Sequence, residues 1–224
     1  MNASFIEFLA RNGAIRFGEF TLKSGRESPY FIDMGVISGG AGISELGRHY
    51  AEMIHGEFGT GFDVIFGPAY KGVPIAVSAA VEFRNLYSSD KRWLFDRKEK
   101  KLHGADANSM FVGSHGLDLG SRVVIVDDVI TTGGTKIEAI EKLRKTIKAE
   151  VLGIVIAVDR METGKKKSAV EEFAELAGVK VLAIENIENI FSYLKENRVD
   201  GKTYVTDKTF GKYKEYMRKY GAQS

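Results

Sequence analysis

Four β-branched residues in a row, VVIV at positions 123–126, constrain the fold of this chain more than any other feature. An unbroken run of this kind is typical of a strand buried on both faces, as in a parallel sheet covered by helices. Apolar residues then recur at intervals of three, three and four, at Ile137, Ile140, Leu143 and Ile147, which predicts a helix after the strand. Strands and helices alternate elsewhere too, so the sequence predicts an α/β fold with a mainly parallel central sheet flanked by helices.

Shorter apolar runs place the other elements. They predict strands at 62–66, 93–95, 151–158 and 179–184, and helices at 73–86, 170–177, 187–194 and 204–220. The first 40 residues contain short β segments separated by Gly and Ser, which predict a small N-terminal hood over the sheet. No internal repeat or long linker divides the 224 residues, so we expect one domain, 1–224, in which about residues 1–40 contribute to the hood. Ligands of such sheets bind beyond the carboxyl ends of the strands.

The charge balance and the lack of cysteine exclude several classes of protein. There are 32 Lys and Arg against 30 Asp and Glu, a formal charge of +2, which argues against a nucleic-acid-binding or membrane-binding surface. Without cysteine, the chain cannot form a disulfide, a thiolate nucleophile or a cysteine-based zinc site. Residues 1–13 have the pattern of an amphipathic helix rather than of a signal peptide, and the apolar run 151–158 is shorter than the roughly 20 residues that span a membrane. We therefore expect a soluble cytoplasmic protein.

The predicted strand at 123–126 leads into Asp127 and Asp128, and a turn of Gly and Thr at 131–135 opens the next helix. Free backbone N–H groups at such a turn, together with the positive end of the helix dipole, favour a phosphate. Two adjacent carboxylates can accept hydrogen bonds from vicinal hydroxyls or hold Mg²⁺ through water. The residues alone also allow the turn to be only a helix cap and the aspartates only to solvate it. The spacing G-x-x-x-x-G-K-[ST] is absent, which excludes a Walker loop.

The whole string VVIVDDVITTGGTK at 123–136 resembles the phosphoribosyl-pyrophosphate signature of the type I phosphoribosyltransferases. The resemblance implies the fold of that family. It also implies that Asp127 and Asp128 hold the ribose hydroxyls and that the turn at 131–135 surrounds the 5′-phosphate.

Four further segments resemble the orotate phosphoribosyltransferase family and follow its order: TLKSGRESPYFID at 21–33, GPAYKGVP at 67–74, RKEKKLHG at 97–104 and VDRMETG at 158–164. The resemblance implies Mg²⁺-dependent transfer of the phosphoribosyl group from 5-phosphoribosyl 1-pyrophosphate (PRPP) to orotate. The products are orotidine 5′-monophosphate and pyrophosphate, a step of pyrimidine synthesis. It also implies a homodimer in which 97–104, a mobile catalytic loop in the family, reaches the neighbouring subunit's site.

The resemblance carries over residue roles. The residues expected to bind PRPP are Lys23, Tyr70, Lys71, Arg97, Lys98, Lys101, His103, Asp127, Asp128, Val129, Ile130, Thr131, Thr132, Gly133, Gly134 and Thr135. Those expected to bind orotate are Lys23, Phe31, Ile32, Thr131 and Arg160. Those expected to be catalytic are Lys101, His103, Asp127 and Asp128. No direct protein ligand for the metal is expected, because Mg²⁺ is held mainly by PRPP and water near the two aspartates.

The chemistry of the transfer needs residues of these types. Displacement of pyrophosphate builds negative charge on the leaving group, which the loop cations and Lys71 can stabilise. A guanidinium such as that of Arg160 matches the orotate carboxylate bidentately. One position departs from the family pattern, because Leu102 stands where the family usually has an aspartate, and this makes the loop more cationic.

Other interpretations stay open from the sequence. The KEKK run at 98–101 could be a solvated surface, and Arg160 could pair only with Asp159 or Glu162. The acceptor could be a purine or uracil instead of orotate. The chain could also be a nucleotide-sensing regulator of the same fold without catalysis, but such a protein should have a basic surface and lack catalytic loop residues.

Overall fold

The computed structural model describes residues 1–22, 24–97, 110–130 and 134–222, with the backbone but not the side chain of Thr135. The elements are, in order, α1 (Ala3–Arg11), β1 (Ile15–Thr21), β2 (Glu27–Ile32), α2 (Gly40–Phe58), β3 (Val64–Phe66), α3 (Gly72–Tyr87), β4 (Arg92–Asp96), β5 (Phe111–Val112), β6 (Arg122–Asp127), α4 (Gly134–Ile147), β7 (Glu150–Asp159), α5 (Ala169–Ala177), β8 (Lys180–Asn186), α6 (Ile187–Glu196) and α7 (Asp207–Tyr220). The site residues predicted at Lys23, Lys98, Lys101, His103, Thr131, Thr132 and Gly133, together with Leu102, lie outside the described residues.

The central sheet has six strands in the order β5-β4-β3-β6-β7-β8. All neighbouring pairs are parallel except β4 and β5, which are antiparallel. The VVIV run forms β6 in the middle of the sheet and is buried on both faces, which confirms the mainly parallel sheet predicted from it. The chain leaves β3 towards β4 on one side and reaches β6 on the other. The carboxyl ends of β3 and β6 therefore flank the position where an open α/β sheet usually binds its ligand.

Two hydrophobic cores lie on opposite faces of the sheet. Alternate residues of each strand point to opposite faces, so Val124 and Val126 pack in one core while Val123 and Ile125 pack in the other. The first core contains the buried faces of α1, α2, α3 and α6, and the second contains those of α4 and α5. The sheet is thus covered on both sides, as the buried strands require.

Helix α2 was not predicted by the apolar spacing. Its buried face includes Gly47, His49 and Ala51 beside Leu46, Tyr50 and Ile54, so small and polar residues interrupt the apolar pattern. Gly47 has a packing role, because a Cβ there would lie 2.5 Å from the backbone carbon of Ser78 on α3. The two helices cross at this glycine with almost no space between their backbones.

The short β segments predicted near the N-terminus are present, and they form a separate two-stranded antiparallel sheet, β1–β2. Strand β2 lies against α7, and Asp33 immediately after it donates its N–H to the carbonyl of Ala14 at 2.8 Å. That this hairpin covers the site, and that the chain is one domain, stay predictions. Across the described ranges, no helix combines the length and the apolar character needed to cross a membrane.

Candidate active site

Five of the predicted site residues lie at the carboxyl ends of neighbouring strands of the central sheet. Arg97 follows β4, Lys71 follows β3, Asp127 ends β6 and Asp128 follows it, and Arg160 follows β7. The order β4-β3-β6-β7 places these groups side by side. Three strand spacings amount to roughly 14 Å, which suits a ligand the size of a phosphosugar with a base.

Asp127 is almost fully buried and is held on both carboxylate oxygens. Its Oδ2 lies 2.7 Å from the Nζ of Lys136 in the first turn of α4, and its Oδ1 accepts the N–H of Asp128 at 2.9 Å. Its backbone carbonyl accepts the hydroxyl of Tyr50 at 2.7 Å. Burial raises the pKa of Asp127 and the neighbouring Asp128 adds to the increase, whereas Lys136 opposes it.

Asp128 is joined to the hairpin through a lysine. Its Oδ2 lies 3.3 Å from the Nζ of Lys71, which lies 2.9 Å from Oδ1 of Asp33. Burial alone would lower the pKa of Lys71, but the two carboxylates outweigh this and raise it. Burial alone would raise the pKa of Asp33, but the hydrogen bonds from Lys71 and from the N–H of Gly35 lower it. The Lys71 ammonium is therefore held between two carboxylates from different parts of the chain.

The turn that presents Lys71 is built on two glycines in contact. A Cβ on Gly67 would lie 2.0 Å from the carbonyl oxygen of Gly72, so neither position has room for a side chain. Within the turn, the N–H of Ala69 donates to Oδ1 of Asp96 at the end of β4, at 2.9 Å. The side chain of Tyr70 is exposed at this edge.

Arg97 lies where the chain leaves the sheet and where it returns. Its N–H donates to the carbonyl of Met110 at 2.9 Å, and its carbonyl accepts the Nζ of Lys142 at 3.2 Å. Residues 97 and 110 are thus neighbours, so the segment between them starts and ends at the same sheet edge. Within the described part of the chain, the buried Nε of Arg97 has no hydrogen-bond partner.

Arg160 pairs with Glu162 and not with Asp159. Its Nε and Nη2 lie 2.8 and 2.5 Å from Oε1 of Glu162, and its guanidinium carbon lies 4.4 Å from the ring centre of Tyr30. Met161 between them has a φ of 52°, an unusual value for a non-glycine residue, and its N–H donates to Asp159 at 2.7 Å. Burial alone would lower the pKa of Arg160, but Tyr30 and Glu162 raise it, so the side chain stays charged.

Strand β2 and the residue that follows it contact both the Lys71 side and the Arg160 side of this sheet edge. Tyr30 in this strand stacks on Arg160, and Asp33 just beyond its end binds Lys71, which contacts Asp128. Phe31 and Ile32 lie between these two contacts. Arg160, a predicted orotate residue, and the predicted PRPP residues Lys71 and Asp128 are therefore linked through this strand and the residue after it.

Two predicted PRPP residues can contribute only through their backbone. The side chain of Ile130 is buried in the core on one face of the sheet, and that of Val129 packs against the core on the other face. The N–H of Val129 donates to Oδ1 of Asp128 at 2.7 Å. Gly134 begins α4 and is exposed.

Several residues of this edge received no role from the sequence. Asp33 and Lys136 each end a quoted motif, and Glu162 was considered only as a possible partner of Arg160. Tyr50 and Tyr216 lie in segments without any motif. The sequence offered one signal for Asp33 and Lys136: acidic and basic residues both occur in the motifs. A buried acid at the end of a strand needs a cation nearby.

A family model and individual relatives match this chain. The model of the phosphoribosyl transferase domain matches residues 40–185. An orotate phosphoribosyltransferase of Agathobacter rectalis is 40% identical over 223 residues, which cover 99% of this chain and 98% of that protein. One from Bifidobacterium adolescentis is 43% identical over 226 residues, which cover 97% and 96% of the two chains.

A solved structure agrees with these sequence relatives. The crystal structure of the orotate phosphoribosyltransferase of Francisella tularensis has a TM-score of 0.80 to this chain and 37% sequence identity. The match covers 98% of this chain and all of that one, 100%. The match therefore extends to the N-terminal hairpin and to α7, which lie outside the residues that the domain model matches. The chain belongs to the phosphoribosyltransferases and, within them, to the orotate phosphoribosyltransferase family.

Proposed function

We propose that this protein transfers the phosphoribosyl group of PRPP to orotate, giving orotidine 5′-monophosphate and pyrophosphate for pyrimidine synthesis. One observation carries the proposal beyond family membership: β2 joins the acids of the sugar signature to the buried Arg160. The contacts run from Asp128 through Lys71 to Asp33 at one end of Tyr30–Asp33, and from Tyr30 to Arg160 at the other. A phosphosugar and a carboxylated base thus have adjoining places at one sheet edge.

At the sugar end, Asp127 and Asp128 accept hydrogen bonds from the vicinal ribose hydroxyls. Each of the two carboxylates is already paired with a lysine, so the sugar hydroxyls enter a polarised site. The helix dipole of α4 and the backbone at its start favour the 5′-phosphate. Fixing the ribose in this way aligns its anomeric carbon with the acceptor and reduces the entropic cost of the displacement.

At the leaving-group end, cations stabilise the growing charge on pyrophosphate. Lys71 and Arg97 follow adjacent strands there, and the buried Nε of Arg97, which has no partner among the described residues, is a donor available to a phosphate oxygen. The predicted loop cations Lys98, Lys101 and His103 lie outside the described residues, and their roles stay proposals.

At the acceptor end, Arg160 binds the orotate carboxylate. A guanidinium has five N–H donors, and the pair with Glu162 uses one from Nε and one from Nη2. Three donors remain on the group for a planar carboxylate. The nitrogen of orotate that attacks the sugar is already acidic, so the proposal needs no strong general base.

The acids of the site fit Mg²⁺ better through water than by direct ligation. All four carboxylate oxygens of Asp127 and Asp128 already have a cation or an N–H as partner. Among the described residues, no group of three or more acidic or histidine side chains could hold a metal ion. When bound with PRPP, Mg²⁺ would neutralise pyrophosphate charge, with the two aspartates as partners of its water ligands.

An acceptor screen tests the proposal. The purified protein is mixed with PRPP, Mg²⁺ and, separately, orotate, uracil, adenine and hypoxanthine, and nucleotide formation is followed by chromatography. We expect orotidine 5′-monophosphate from orotate and at least about a hundredfold slower reaction with the other bases. Consumption of another base in place of orotate would show a phosphoribosyltransferase with a different acceptor. Salt-dependent RNA binding without any turnover would favour the alternative function of a nucleotide-sensing regulator.

The proposal includes a homodimer with shared sites and a cytoplasmic location. Mixing inactive Lys101→Ala subunits with inactive Asp128→Asn subunits tests the sharing, because a heterodimer then contains one site with both native residues. We expect a partial return of activity on heterodimers isolated by two affinity tags. Heterodimers as inactive as the parents would mean that each subunit completes its own site.

A further inference from the structure

Side chains from three distant parts of the chain contact the carboxylate of Glu162. Its Oε1 accepts the hydroxyl of Tyr216 at 2.8 Å and that of Tyr30 at 3.3 Å, besides the two bonds from Arg160. Its Oε2 lies 3.4 Å from Nη1 of Arg26. The N-terminal hairpin, the end of β7 and helix α7 therefore meet on one carboxylate that is mostly shielded from solvent.

The end of α7 is fixed to the segment that carries Glu162. The N–H of Thr163 donates to the carbonyl of Tyr220 at 2.8 Å, and that of Ala222 donates to the carbonyl of Met161 at 2.8 Å. The hydroxyl of Thr163 donates to the carbonyl of Gly221 at 2.6 Å. These backbone bonds set the distance between α7 and Glu162, so the Tyr216 hydroxyl has a defined position.

This arrangement fixes the Arg160 guanidinium in two directions. Glu162 holds its Nε and Nη2, and its guanidinium carbon lies over the ring of Tyr30, 4.4 Å from the ring centre. A buried guanidinium without such a partner would be costly, whereas here its charge is compensated. Because the group cannot rotate freely, it loses little conformational entropy when it takes up a carboxylate.

We propose that Glu162 and Tyr216 are positioning residues that hold Arg160 in the orientation needed for the carboxylate of the acceptor. The inference rests on the proposed function and extends it to α7, a segment for which the sequence indicated no chemical role. Tyr216 acts through Glu162 and Glu162 acts through Arg160. Neither needs to contact the base.

The first test removes a single hydroxyl. In Tyr216→Phe, the ring keeps its contacts with Tyr30 at 5.9 Å and Tyr220 at 5.0 Å between ring centres, and the bond of the hydroxyl to Glu162 is lost. We expect the KM for orotate to rise about tenfold, because a hydrogen bond to a charged group is lost. The KM for PRPP, measured at saturating orotate, should change by less than about twofold.

Tyr213→Phe is the matched control. Tyr213 lies one turn earlier on α7, is equally buried and stacks on Phe191 at 4.0 Å between ring centres. Removing its hydroxyl leaves every contact of Glu162 in place. Both KM values of this variant should stay within about twofold of the unaltered protein.

A second substitution tests the charge and the specificity. Glu162→Gln keeps the shape of the side chain but removes the charge opposite Arg160. We expect the preference for orotate over uracil, which lacks the carboxylate, to fall by at least tenfold. Isothermal titration of orotate into the protein without PRPP gives an independent affinity.

The outcomes separate this inference from the function on which it rests. An unaltered protein that ignores orotate overturns both. If the unaltered protein uses orotate but both variants keep its KM for orotate, the positioning role is wrong. Equal increases in both KM values, with a lower melting temperature, would mean that the two residues only support the fold, which also overturns the inference.

Discussion

Two lysines pair in different ways with Asp127 and Asp128, the acids of the phosphoribosyl-pyrophosphate signature. Lys136 comes from the helix that follows the acids and pairs with Asp127 at 2.7 Å. Lys71 lies in the turn after the neighbouring strand β3, and its ammonium group pairs with both Asp128 and Asp33. Asp128 therefore has the weaker pairing, at 3.3 Å, and is the acid that a ligand can more easily engage.

We expect Asp128→Asn to reduce kcat/KM for PRPP by at least about a hundredfold, because it removes a carboxylate that we propose holds the sugar in the transition state. The change is isosteric, and the N–H of Val129 can still donate to the amide oxygen, so the melting temperature should change little. Steady-state kinetics and circular dichroism measure the two effects.

Asp90→Asn is the control for this change, since Asp90 is exposed just before β4 at the opposite edge of the sheet. It should leave kinetics and stability unaltered. An Asp128→Asn variant with near-normal turnover would remove the role that the signature gives to this acid.

The sequence could predict the acids of this edge but not their partners. Asp127 and Asp128 are identified by their position between a strand and a Gly-Thr turn, which is local information. The partners depend on contacts across 38 residues for Asp33 with Lys71 and across 54 residues for Glu162 with Tyr216. Only the arrangement of the strands and of α7 brings such pairs together.

At the scale of elements, the crossing of α2 and α3 depends on one glycine. Gly47→Ala should destabilise the protein by about 1–3 kcal/mol, because the added Cβ meets backbone atoms of Ser78 that cannot move aside without shifting α3. Urea unfolding followed by circular dichroism gives the free energy of unfolding.

Gly56→Ala on the same helix is the matched control. A Cβ at Gly56 would have no atom within 4 Å, so the better helix propensity of alanine should stabilise the protein by about 0.5–1 kcal/mol. If both alanine variants changed stability in the same direction, the close contact at Gly47 would not limit the packing of these helices.

Apolar periodicity predicted the elements that bury a continuous apolar face. Strands β6, β7 and β8 and helices α4, α5 and α6 were predicted in this way. It did not predict α2, whose buried face is partly glycine, alanine and histidine. It also missed β5, which has two residues and forms only by pairing with β4.

At the scale of the whole molecule, buried tyrosines limit stability at alkaline pH. Burial raises the pKa of Tyr213 and Tyr216 from 10.0 to about 12 and raises the pKa of Tyr30 and Tyr50 as well. A raised pKa in the folded state contributes stability that is complete below the unfolded value of 10.0 and is lost as the pH rises towards 12. We expect the free energy of unfolding to fall steeply above about pH 10.

A spectroscopic titration can check this, since tyrosinate absorbs differently from tyrosine. Of the nine tyrosines, the four buried ones should ionise only together with the loss of circular dichroism. Ionisation of all nine near pH 10 in a protein that keeps its helical signal would contradict the effect of burial. The tyrosinate signal also separates this effect from the loss of lysine charge in the same range.

The hydrogen bonds between residues 161–163 and 220–222 have a consequence for the order in which the structure forms during synthesis. A ribosome that has released all of β8 has supplied every strand of the central sheet and both aspartates of the sugar signature. The tyrosine that locks Glu162 is still missing at that stage, because Tyr216 follows β8 by 30 residues, from Asn186 onward. During synthesis, the proposed acceptor end of the site, around Arg160 and Glu162, is therefore completed last.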